Sequence, residues 1–168
     1  SNSFYLIVNG QRKIVTLNSV KVARFNTSIG CQPLGYEARE FLRTTYNNKV
    51  VTVDVEGVYE DRMFATISYK GISINEVLCE MGFAEYDEPV CGFPSSRAEQ
   101  IKKAHESAKA KKIGIWADVK PEPVKITDFT YQKNNREQFN YIQQQKKVKC
   151  IIEHVFSSSR FIVLIPEK

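Results

Sequence analysis

The chain has 168 residues, 42% hydrophobic and 26% charged, with a formal net charge of +5. These ordinary globular values suit one domain plus an appendage, and no apolar run approaches the ~18 residues of a membrane span. The positive balance permits a polyanion partner without requiring one.

Ser1 leads directly into a strand-like run rather than a signal peptide. Phe4 to Val8 is apolar and rich in β-formers, and the run 13–17 is similar. Asn9-Gly10 between them signals a tight hairpin, because both turn residues must tolerate positive φ. Ala38, Phe41, Leu42 and Thr45 fall at helical spacing, and Asn47-Asn48 stops that helix. Residues 49–56 alternate Val51, Val53 and Val55 against Thr52, Asp54 and Glu56, which predicts a half-buried strand. Residues 64–69 alternate again, with 57–62 as the connection. Ser73-x-x-Glu76 reads as a capping box before Val77, Leu78 and Met81, and Gly82 ends that helix. Ser96-x-x-Glu99 reads as a second capping box. It opens a long helix with Ala98, Ile101, His105 and Ala108 on one face and Lys102, Lys103, Lys109, Lys111 and Lys112 outside. Gly114 ends it, and Ile115-Trp116 folds back onto the core.

Pro121 and Pro123 mark a boundary. Residues 126–147 are polar, with one weak helical pattern around Phe139 and Ile142. Residues 148–156 and 161–165 read as two strands joined by Ser157-Ser158-Ser159. Cys31, Cys79, Cys91 and Cys150 are scattered without a Cys-x-x-Cys pair, and His105 and His154 lie far apart. Zinc needs clustered nitrogen and sulfur ligands, so the expectation is reduced thiols and no metal or other cofactor.

Strand pair, helix, two strands and two helices match the content of a small five-stranded Greek-key barrel of the OB type. Tyr36-Glu37-Ala38-Arg39-Glu40-Phe41-Leu42-Arg43, Gly71-Ile72-Ser73-Ile74-Asn75-Glu76-Val77-Leu78 and the 97–116 stretch ending Ile115-Trp116 resemble the staphylococcal-nuclease-like domain. With Thr16-Leu17-Asn18-Ser19-Val20 and Ile152-Glu153-His154-Val155-Phe156, they are similar to the Tudor-SN family of tandem nuclease-like repeats. The resemblance implies an α+β fold: a five-stranded OB-type barrel with three helices at 1–117, lacking the family's first strand. A linker with one helix follows at 118–147, and then the first two strands of a next repeat at 148–168. The 148–156 strand is expected to fill the barrel edge near residues 4–8, in its own chain or by exchange with a neighbour. Packing on the linker helix is the alternative.

The family's phosphodiesterase site implies carboxylates that hold calcium, a glutamate that activates water and two arginines. Aligning Gly10-Gln11 with that enzyme's turn puts Thr16 at the first arginine, Lys21 at a metal aspartate, Arg24 at the glutamate and Asn2 at the other metal aspartate. Arg62 alone matches, at the second arginine. Residues 1–36 contain no acid at all, so a register error does not restore the site. Asp54, Glu56, Glu60 and Asp61 read as a solvated strand face and loop. The expectation is therefore no catalytic residue, with Lys21, Arg24 and Arg62 gripping phosphate. The outer lysines of the long helix read as solubilising, His105 as a core residue, and Tyr86 and Phe93 as weak stacking candidates.

The resemblance implies a degenerate repeat that binds double-stranded or structured RNA alongside neighbouring repeats. For the parent it implies roles in RNA silencing, transcription and RNA processing complexes, away from membranes, in the cytoplasm with the nucleus also open. A calcium-dependent endonuclease and a protein-interaction scaffold are the alternatives.

Overall fold

The computed structural model describes residues 3–25, 30–88, 92–127, 129, 135–145 and 147–166. The chain divides into two compact units, Ser1–Lys125 and Ile126–Lys168.

In the first unit, β1 (Ser3–Val8) and β2 (Gln11–Leu17) form the expected hairpin. Asn9 and Gly10 have φ of 50° and 75°, as a two-residue primed turn demands. β2 runs parallel to β5 (Arg62–Tyr69), and β5 is antiparallel to β4 (Thr52–Tyr59). The short β6 (Ile72–Ser73) pairs with the far end of β5. β3 (Val20–Val22) leaves this sheet and pairs with β7 (Ala84–Tyr86).

The expected α+β content with a five-stranded sheet is present, but the strands do not close into a barrel: they share one sheet in the order β1-β2-β5-β4 with β6 off β5. Closure requires the two edge strands to pair. Among the described strands β1 pairs only with β2, and β4 only with β5. The expected 57–62 connection is also shorter. A bulge between Val55 and Gly57 absorbs the change in register, β4 continues to Tyr59, and the turn is Glu60-Asp61.

Three helices cover one face of the sheet: α1 (Gly35–Tyr46), α2 (Ile74–Glu80) and α3 (Ala98–Ala110). Val15, Leu17, Ala65 and Ile67 from the sheet meet Ala38, Leu42, Leu78 and Ile101 from the helices in one core. Ser73 caps α2 by accepting from the Glu76 N–H at 3.3 Å, as its sequence predicts. The second expected box fails. α3 begins after Arg97 without a side-chain cap, because Ser96 Oγ and N–H both donate to Glu56 instead. After α3, Gly114 and Gly82 pass so close that neither backbone has room for a Cβ, and Ile115 N–H donates to Gly82 O at 2.9 Å. Trp116 thereby reaches His105, edge to face at 4.9 Å.

Asn18 and Asn75 are fully buried polar pins. Asn75 Nδ2 donates to Asn18 O at 2.8 Å, and its Oδ1 accepts from Ile67 N–H at 3.2 Å. They satisfy backbone groups where β2 leaves the sheet, which an apolar side chain would leave orphaned.

The second unit contains α4 (Arg136–Gln144) and the hairpin β8 (Ile151–Ser157) and β9 (Arg160–Leu164). The expectation that the 148–156 strand fills the edge at residues 4–8 of its own chain is corrected. Within the chain, β8 pairs with β9 in a separate two-stranded sheet. The two-residue turn Ser158-Ser159 makes that local pairing far cheaper in loop entropy than a pairing across some 140 residues.

Candidate nucleic-acid interface

Lys21 sits at the centre of β3, directly opposite Glu85 on β7. Its ammonium lies 2.8 Å from Glu85 Oε1. The hydrogen bond to Glu85, and then that carboxylate's charge, raise the Lys21 pKa above its ordinary value, while the charge of Arg24 pulls it back. Lys21 and Arg24 are therefore electrostatic neighbours, and Glu85 with Asp87 offsets their combined charge. The Lys21 side chain is exposed and Glu85 half-buried, so water screens the pair and leaves the ammonium able to turn toward a phosphate.

Arg24 has an exposed side chain on a fixed backbone. Its N–H donates to Gln32 Oε1 at 2.7 Å, and its carbonyl accepts from Gln32 N–H at 2.8 Å. Gly35 packs against the same carbonyl, where any Cβ would collide with backbone. A shallow hollow of about 180 Å³ lies beside this run, lined by Lys21, Gln32, Glu85 and Lys120 among others. That is below the usual size of a small-molecule pocket, about 300 Å³ or more.

Arg62 stands apart, at the first position of β5 on the main sheet, between Ile14 and Tyr59. It is exposed, and its guanidinium has no hydrogen-bond or ion-pair partner among the described residues. Thr16 is buried one row away and shares a 2.9 Å hydroxyl–hydroxyl hydrogen bond with Ser3. Asn2 lies outside the described residues.

Glu56 corrects the reading of the acidic cluster. Asp54, Glu60 and Asp61 are exposed, but Glu56 is a hydrogen-bonding hub. Its Oε1 accepts from Thr66 Oγ1, Ser95 Oγ, Ser96 N–H and Ser96 Oγ at 2.9–3.2 Å, and its Oε2 from Asn18 Nδ2 at 2.8 Å. The hub ties the loop before α3 to the sheet. The only local signal was Gly57 beside it, which marks the bulge that re-aims the strand. No cluster of three His, Cys, Asp or Glu suited to a metal occurs among the described residues.

The two loop aromatics are spent on packing. The Phe93 ring covers Gly57 and lies 6.0 Å from Phe64, and Tyr86 packs against the core. His105 is mostly buried and accepts from Tyr86 N–H at 2.9 Å, as befits a core position. On the outside of α3 Lys109 lies over the Trp116 ring, while Lys111 and Lys112 fall past the end of the helix and Lys112 pairs with Asp118.

No helix among the described residues is long and apolar enough to cross a membrane. The family model for staphylococcal nuclease homologues matches residues 13–118, which takes in the main sheet from within β2 onward, helices α1, α2 and α3 and the Trp116 turn. With more than half its length matched and this architecture around it, the chain belongs to the staphylococcal nuclease homologue family.

Proposed function

We propose that this domain binds RNA without cleaving it, as a degenerate nuclease-like repeat of a protein resembling the Tudor-SN family. The observation that carries this reading is the absence of any acid from residues 1–36, where the family's metal and water-activating carboxylates belong. The residues there do not suit calcium. Lys21 brings an ammonium to a ligand position and is itself held by Glu85, and Thr16 offers one hydroxyl already engaged by Ser3. A hard divalent ion needs several anionic or carbonyl oxygens, and a cation in the set repels it.

Exposed Lys21, Arg24 and Arg62 supply backbone contacts, which give affinity without sequence choice. Partners implied for the longer protein are neighbouring repeats and the complexes of RNA silencing, transcription or RNA processing, in the cytoplasm or the nucleus.

The test incubates the whole chain with labelled double-stranded RNA, with and without calcium, scoring both shift and cleavage. A shift without cleavage is expected, with a log–log salt slope of roughly −2 to −3 for three phosphate contacts. The triple alanine variant at Lys21, Arg24 and Arg62 should lose most of the affinity and stay folded. Calcium-stimulated turnover that disappears in Arg62→Ala would overturn the reading and establish an endonuclease.

A further inference from the structure

One line of side chains crosses the four long strands of the main sheet on the face away from the helices. Directly opposed residues share a face. The register runs from Tyr5 to Ile14, from Ile14 to Arg62 and from Arg62 to Tyr59. The opposite face carries Leu6, Val15, Met63 and Ala65 and belongs to the core. Tyr5 is 63% and Tyr59 53% exposed, so both rings stand in water where a core residue would be covered. Arg12, two residues before Ile14 and therefore on the same face, places its guanidinium 3.9 Å from the centre of the Tyr5 ring. Three strand spacings of about 4.8 Å put the two tyrosine positions about 14 Å apart, with Arg62 between them.

We propose that this row is a stacking platform for an unpaired nucleic-acid strand. Tyr5 and Tyr59 take bases, and Arg62 and Arg12 take the phosphates beside them. The proposal rests on the nucleic-acid reading above and deepens it by naming the ligand as single-stranded, such as a loop or bulge of a structured RNA. On the β1–β2 side of the row, charge favours this occupant. The β1–β2 side of the row has no carboxylate anywhere in residues 1–36, so Arg12 faces no competing acid from its own hairpin. Glu60 and Asp61 lie in the turn beyond Tyr59, and Glu56 is committed to Asn18, Thr66, Ser95 and Ser96. Rings alternating with cations match bases alternating with phosphates, and stacking tolerates any base. A duplex keeps its bases stacked inside and presents no free ring to the tyrosines.

Fluorescence anisotropy on the whole chain tests this, using a labelled oligouridine and a duplex RNA of equal length. The single strand should bind more tightly. Tyr5→Ala and Tyr59→Ala should each weaken its binding roughly tenfold with an unchanged salt slope, and Tyr→Phe at either position should restore it. Arg62→Ala should make the slope shallower by about 0.7. Melting temperatures matching the parent chain keep the readout on binding. If both alanine variants bind the oligouridine undiminished while RNA affinity persists, the row is overturned and the backbone-binding reading stands. If neither RNA form binds at all, both readings fall. Loss of a captured protein partner in the tyrosine variants, with RNA affinity intact, also overturns the row and makes it a protein-docking face.

Discussion

The β1–β2 and β8–β9 hairpins carry comparable apolar runs, yet Val15 and Leu17 are 0% and 1% exposed whereas Ile152 and Val155 are 53% and 60% exposed. Both hairpins have short turns, and each unit also holds an amphipathic helix. The difference lies in what covers each sheet. β2 pairs with β5, and helices α1, α2 and α3 pack against the shared face. Among the described strands β8 and β9 pair only with each other, and α4 leaves Phe139, Tyr141 and Ile142 exposed. A two-stranded ribbon has too little surface to bury its own apolar side chains, whatever its local propensity.

The largest expected contrast between the units is in thiol chemistry. Cys79 is buried in α2, and that burial, aided by the nearby charges of Glu76 and Glu80, pushes its thiol up to about 12. From an ordinary value of 9.0, this cuts the reactive thiolate roughly a thousandfold at neutral pH. Cys150, in the second unit, is exposed. Native-state alkylation read by mass spectrometry should therefore label Cys150 quickly and Cys79 only after unfolding. Equal rates would break the comparison.

Paired substitutions give the next effect. Ile101→Ala empties a fully buried site and should cost about 2–5 kcal/mol in denaturant unfolding. Phe156→Ala removes a larger but half-exposed ring and should stay within about 0.5 kcal/mol. A Phe156 cost rivalling that of Ile101 would mean that the second unit holds a core of its own.

The smallest effect concerns the surface of the first unit. Glu40 has its pKa lowered, chiefly by its hydrogen bond to Arg43, with the charges of Arg43 and Arg39 adding to it. A carboxylate lowered in the folded state stabilises above its unfolded pKa, near 4.5, and loses that contribution as pH falls through the folded value. Glu40→Gln should thus cost up to about 1 kcal/mol at pH 7 and nothing once the pH is well below 4. A cost that persists at pH 2.5 would assign the effect to packing rather than charge.

Much of the first unit was legible because its signals are local. Asn9-Gly10, the Ser73 capping box and the stop at Gly82 act within a few residues, and alternation or helical spacing marks the covered faces. The missing acids of residues 1–36 were likewise plain from composition along the chain. The tertiary structure alone decided three things. It left the sheet open, because closure depends on edge pairing between distant strands. It turned Glu56 from a solvated acid into a hub, because its five donors come from Asn18, Thr66, Ser95 and Ser96, far apart in sequence. And it lined up Tyr5, Ile14, Arg62 and Tyr59, because a parallel register between β2 and β5 leaves no trace in either strand read alone.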